Sequence, residues 1–141
     1  MSQFTSDEFL QSFLEEADEY LQTILQGLLF LEELSLKSEP GKKKLPAPNA
    51  EDEKEEFLAK LNELLRALHS LKGISGMVGL AQAAELCHAM ESILKAVQQE
   101  QHKLSGEDIN LLIEAGRLLE SIVQTVRDPS LEAPDHQPML A

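Results

Sequence analysis

Apolar residues recur along this chain in steps of four and three, the spacing that lays them on one side of an α-helix. Leu10, Leu14, Ala17, Leu21, Ile24, Leu28 and Leu31 form the first such stripe, without a break. Phe57, Leu61, Leu64, Leu68, Leu71, Ser75 and Val78 form the second, and Ala83, Cys87, Met90, Leu94 and Val97 the third. Ile109, Leu112, Gly116, Leu119, Val123 and Val126 complete the set. Two helix starts carry capping signals. Thr5-Ser6-Asp7-Glu8 reads as a capping box, and Ser105-Gly106-Glu107-Asp108 places acids in a first turn, where the macrodipole favours them. The pattern predicts helices over about 6–36, 51–78, 80–101 and 106–127. Each has one stripe to bury and most are joined by short turns. The expected fold is therefore all-α: an antiparallel up-down four-helix bundle occupying residues 1–127.

Two segments fall outside the stripes. Lys37–Ala50 holds three prolines, a glycine and four lysines, and reads as a flexible loop to which the sequence assigns no role. Residues 128–141, with Pro129, Pro134 and Pro138, read as a flexible tail or the start of an interdomain linker.

Composition agrees with a single modest domain. The 141 residues suffice for one core without disulfides or metals, and the absence of Trp beside abundant Leu and Ala suits helix-on-helix packing. Apolar runs fall far short of the ~20 residues that span a bilayer, and the N-terminus lacks the pattern of an export signal. The one cysteine, Cys87, has no internal disulfide partner, which fits a reducing cytoplasm. A net charge of −13 argues against nucleic acid and anionic membranes as partners. Eight acids and no Lys or Arg stand in the first 36 residues, a solvated face or else a docking surface for a basic partner.

One stretch departs from plain helix-forming sequence: Leu68-His69-Ser70-Leu71-Lys72-Gly73-Ile74-Ser75-Gly76-Met77-Val78-Gly79. Each glycine inside a helix costs roughly 1 kcal/mol relative to alanine, so Gly73 and Gly76 need a reason. His69, Lys72, Gly73 and Gly76 stand at i, i+3, i+4 and i+7 and share one face, a step away from the buried stripe. That face presents a nucleophilic ring, a cation one turn on, and bare backbone around both. It suits a histidine that accepts a phosphoryl group and is then approached closely by another protein. Close helix packing is the alternative use of the two glycines.

This string resembles the phosphorylation-site helix of histidine phosphotransfer (HPt) domains, and especially that of the N-terminal phosphotransfer domain of CheA-type chemotaxis kinases. Their motif is His, two residues, Lys-Gly, one residue, a small residue and Gly, matched here by His69 through Gly76. Cys87-His88-Ala89-Met90-Glu91-Ser92-Ile93-Leu94 sets His88 and Glu91 where those domains carry a supporting His and Glu on the next helix. Phe13-Leu14-Glu15-Glu16-Ala17 and Leu21 are similar to their first helix. The likeness covers roughly residues 6 to 127.

The resemblance implies that His69 takes the γ-phosphoryl group of ATP from a separate kinase domain of the same protein, in cis or in trans. It then passes the group to an aspartate on a CheY- or CheB-like response-regulator receiver domain. ATP and Mg²⁺ would be used by those partners, with no cofactor or metal bound by this domain. The chain would be a phosphocarrier and a fragment of a longer two-component protein-histidine kinase. On the third helix Ala84, His88, Glu91 and Lys95 share a face that can meet His69 and Lys72 if the two helices run antiparallel. Glu91 would then accept from the ring N–H that is not attacking, fixing the tautomer, with His88 in the same network and Lys72 offsetting phosphoryl charge.

No Gly-rich phosphate loop, Walker lysine motif or acidic Mg²⁺ cluster makes this segment a kinase by itself. An HPt domain of another phosphorelay and a purely structural bundle are the competing readings. A di-iron bundle would need Glu-x-x-His on two helices, and only the reversed pair His88-x-x-Glu91 is present. Cys87 and Ser75 are expected in the core, and His102 and His136 on the surface without a role.

Overall fold

The computed structural model describes residues 6–37 and 50–128. The expected Thr5-Ser6-Asp7-Glu8 cap, the interior of the Lys37–Ala50 loop and the tail from Pro129, including His136, lie outside the residues whose side chains are described. Four helices follow in order: α1 (Ser6–Lys37), α2 (Ala50–Met77), α3 (Ala81–Gln98) and α4 (Gly106–Arg127). They form an all-α, antiparallel up-down bundle, with no strand among the described residues. α1 packs on α2 and α4, α2 packs most extensively on α3, and α3 meets α4 only lightly.

The four stripes become the core. Leu21, Ile24, Leu28 and Leu31 of α1 meet Leu61, Leu64, Leu68 and Leu71 of α2, all essentially removed from water. Cys87 and Leu94 of α3 and Leu112, Leu119 and Val123 of α4 close the bundle from the other side. Burying each such side chain contributes about 1.5–3 kcal/mol, which offsets the chain entropy lost in ordering the helices. The buried faces are wider than the stripes: Phe13, Leu65, Leu86 and Ile122 are buried as well. α1 and α2 approach closely at Gly27, where a Cβ would lie 2.5 Å from Leu64 Cγ, so only glycine fits there without moving Leu64.

Two turns set the register. α2 ends at Met77 because Gly79 adopts φ +81°, the left-handed conformation that glycine takes without strain. The Leu80 N–H donates to Ser75 O at 2.8 Å and the Gly79 N–H to Gly76 O at 3.2 Å, a Schellman closure. Three residues then reverse the chain into α3. The third helix ends at Gln98, short of the expected 101, because Glu100 turns left-handed at φ 59°. The Gln101 N–H then donates back to Ala96 O at 2.8 Å, repeating the same closure. α4 begins at the expected cap, which closes as a full capping box: Ser105 Oγ accepts from the Asp108 N–H and Asp108 Oδ2 from the Ser105 N–H.

Candidate functional site

The tight turn at 78–80 decides where the chemistry-bearing residues meet. His69 lies about 12 Å back along α2 from Met77, and Glu91 about 15 Å along α3 from Ala81, at 1.5 Å per residue. Antiparallel packing therefore sets them side by side. His69 belongs to the face beside the buried stripe, and its side chain is 71% exposed. Its Nδ1 faces Glu91 Oε2 at 3.5 Å, which leaves Nε2 directed away from the carboxylate. At that separation the two groups face each other without a hydrogen bond, and closing by roughly 0.5 Å would form one.

Glu91 takes the expected place beside His69, and its burial is the unexpected feature. Its side chain is 3% exposed, on the α3 face turned to α2, and two lysines and the His69 ring surround it. Lys72 Nζ lies 2.7 Å from Oε1, off the direction of a hydrogen bond, and Lys95 Nζ lies 3.8 Å from Oε2. A buried carboxylate is costly unless paired. Burial pushes the Glu91 carboxyl upward, but Lys72 first, then His69 and Lys95, outweigh it and hold the group below its ordinary value. Glu91 is thus a fixed negative charge at neutral pH, aimed at the ring.

Cys87, one turn before Glu91, is fully buried. Burial and then the Glu91 charge push its thiol up to about 12 against a smaller opposing effect of Lys72, so it stays neutral and fills the core as expected. Ser75 is likewise fully buried in the α2 stripe.

A Cβ built at Gly73 or at Gly76 would meet nothing within 4 Å, and both residues are exposed. Packing therefore does not require these glycines. They leave open surface one to two turns along α2 from His69. Next to them Ile74, Met77 and Val78 line a hollow with Phe9, Ser12, Phe13 and Glu16 of α1. Met77 and Phe9 are exposed apolar side chains at its edge.

His88 is not brought into the group. It stands exposed about one turn nearer the α2–α3 turn, and its ring makes no hydrogen bond or ion pair with His69, Lys72 or Glu91. Three residues from Glu91 on the same helix, it is rotated by about 60° around the axis, which suffices to carry the ring off the α2 interface into solvent. Its backbone carbonyl accepts from Ser92 Oγ at 3.0 Å. Lys95, which helical spacing sets on the face of Glu91 but to which the sequence assigns no role, approaches the Glu91 carboxylate from i+4. His102, expected without a role, has a partner: its Nε2 lies 2.7 Å from Asp108 Oδ2. The Ser105 N–H first, and then His102, hold the Asp108 carboxyl below its ordinary value.

An exposed histidine over a buried, cation-ringed carboxylate in a four-helix bundle is the arrangement that comparison with known proteins can decide. Residues 8–128 match the family described as Hpt domain. The chain belongs to that family. The CheA phosphotransferase domain from Thermotoga maritima superposes on this Hpt domain with a TM-score of 0.63 at 29% identity, covering 91% of this chain and 100% of that one. Chemotaxis protein CheA of Klebsiella aerogenes is 30% identical over 131 residues, which are 91% of this chain and 17% of that protein. Chemotaxis protein CheA of Bacillus subtilis is 29% identical over 122 residues, 86% of this chain and 15% of that protein. The Hpt domain thus spans about a sixth of the length of these curated relatives.

Proposed function

We propose that this Hpt domain is the phosphocarrier of a CheA-type chemotaxis kinase and that His69 is its phosphorylated residue. One observation carries the reading: His69 turns Nδ1 toward a buried, charged Glu91 and leaves Nε2 open to an incoming group. With the ring hydrogen on Nδ1, the Nε2 lone pair attacks the γ-phosphorus of ATP. The bond from phosphorus to the departing ADP oxygen breaks. No proton has to leave the attacking nitrogen. Positive charge that spreads over the ring in this step faces Glu91 across 3.5 Å. In the return step an aspartate oxygen attacks phosphorus, the N–P bond breaks and its electron pair goes back to Nε2. Positioning and electrostatics carry most of such a transfer, so a small constellation is enough for a carrier.

Lys72 pairs with Glu91 and stands one turn from His69, within reach of phosphoryl oxygens. Gly73, Gly76 and the apolar hollow beside them offer a partner an unobstructed approach. On this reading an ATP-binding domain of the same protein donates the phosphoryl group and a CheY- or CheB-like receiver accepts it. ATP and Mg²⁺ belong to those partners. The site of action is the cytoplasm; among the described residues no helix is long and apolar enough to cross a membrane. A purely structural bundle would leave two glycines facing open space without a purpose.

The test is incubation with labelled ATP, Mg²⁺ and a CheA kinase core lacking its own phosphotransfer domain. Acid-labile, base-stable phosphate is expected on His69 alone, and none on a His69→Gln variant that keeps its helical spectrum. Label on His88, or label persisting in the variant, overturns the assignment.

A further inference from the structure

Glu91 is held from both helices at once. Lys72 reaches Oε1 from α2, while Lys95, four residues along α3, approaches the same Oε2 that faces His69 Nδ1. Oε2 is therefore shared between the imidazole at 3.5 Å and the Lys95 ammonium at 3.8 Å. Neither the core nor a partner on another helix accounts for Lys95, whose side chain is 57% exposed. Its place in the last turn of α3 suits the helix dipole, a role any cation there would fill.

We propose that Lys95 is a positioning residue for the transfer described above: it orients Oε2 toward His69 and draws off part of its charge, so that the ring stays unprotonated and nucleophilic at working pH. The proposal rests on His69 being the phosphorylated residue. Two effects act in the same direction. Lys95 repels a second proton on the ring directly, and it competes with the ring for the carboxylate that would stabilise that proton. The charged groups on the two helices that carry the pair are Lys72 and Arg66 on α2 and Glu91 and Lys95 on α3, with the titratable His88 exposed one turn away from Glu91. On α1, Glu16 lines the hollow beside Ile74 and Met77, farther along α2. Of these, Lys95 makes its nearest approach at the oxygen that His69 uses, and Lys72 at the other.

The experiment is a proton–nitrogen NMR titration of the His69 ring in the wild type, Lys95→Met and Lys95→Arg, with phosphorylation rates on the same preparations across pH. Lys95→Met keeps chain length and helix propensity while deleting the charge. Its His69 titration midpoint is expected to move upward by several tenths to about one pH unit. The pH–rate profile should move with it, slower on the acid side and with its alkaline plateau retained. Lys95→Arg should return both close to the wild type. The shift should shrink in about 1 M salt, where the screening length falls to about 3 Å. A purely structural lysine would change the melting temperature and leave the midpoint where it was, and that result overturns the proposal. A midpoint that moves in a domain whose His69 is never phosphorylated would instead refute the proposed function and leave the electrostatic coupling standing.

Discussion

Replacing Glu91 by glutamine keeps the size of a side chain that is 3% exposed but removes the charge facing His69 Nδ1 and Lys72 Nζ. Two unit charges about 4 Å apart interact by about 1 kcal/mol in water and about 4 kcal/mol at an effective dielectric of about 20. Here one partner is buried and the other 71% exposed, which places the interaction between those limits. A loss of about 1.4–2.7 kcal/mol from the step in which the ring becomes positive slows phosphorylation roughly 10- to 100-fold. Stability should change by less than about 1.5 kcal/mol, because Lys72 can turn its ammonium toward water and buried pairs nearly break even against their desolvation. Glu91→Ala is the poorer probe, since it adds a cavity to the lost charge. The assay is single-turnover labelling from ATP with a CheA kinase core, run at about pH 8.5, where a histidine of ordinary acidity is neutral with or without the carboxylate. Ring-nitrogen NMR on the same variant should show the defined Nδ1–H tautomer giving way to a mixture. A rate within about twofold of wild type with an unchanged tautomer ratio would refute the argument and make Glu91 a structural acid.

Gly76→Leu should leave stability unchanged or raised by up to about 1 kcal/mol, with a melting temperature no lower than wild type, because a side chain there meets open space and leucine is the better helix former. Transfer to the receiver should nevertheless slow, and a lowered melting temperature with normal transfer would return this glycine to a packing role. Gly27→Ala should behave oppositely, costing about 1–3 kcal/mol in denaturant unfolding by forcing Leu64 aside with phosphorylation of the folded protein intact; an unchanged midpoint would refute that close approach. Asp108 is held below its ordinary carboxyl range, so its contribution is complete above that range and is lost as pH falls through the depressed value. Amide protection in the first turn of α4, taken relative to intrinsic exchange at each pH, should fall on acidification in the wild type, and Asp108→Asn should be less protected at neutral pH with a flatter acid dependence; parallel profiles would refute the linkage.

The helices and their buried faces were legible because periodicity is a local property. The positions that recur at four and three are those the bundle buries, and the Ser105–Asp108 box forms as its residue types dictate. Where α3 stops was less legible, because Glu100, not a glycine, takes the left-handed position. The wider faces at Phe13, Leu65 and Ile122 escaped for a related reason: a stripe marks the middle of a face, and neighbouring helices decide how far around it burial extends.

Sequence by itself determined the fold class, the family motif and the candidate nucleophile, since His69, Lys72, Gly73 and Gly76 share a face in any straight helix. Only the tertiary structure decided what surrounds that face. It buried Glu91 and brought Lys72 and Lys95 to its two oxygens, while His88, on the same side of the same helix, was left in solvent. It also left Gly73 and Gly76 facing open space and made Gly27 a point of close contact. Helical spacing locates a side chain to within a turn and a sector of the axis. Ion pairing and steric fit are settled within about an ångström, by the separation and register of two helices that only the packed core and the turn at Gly79 impose.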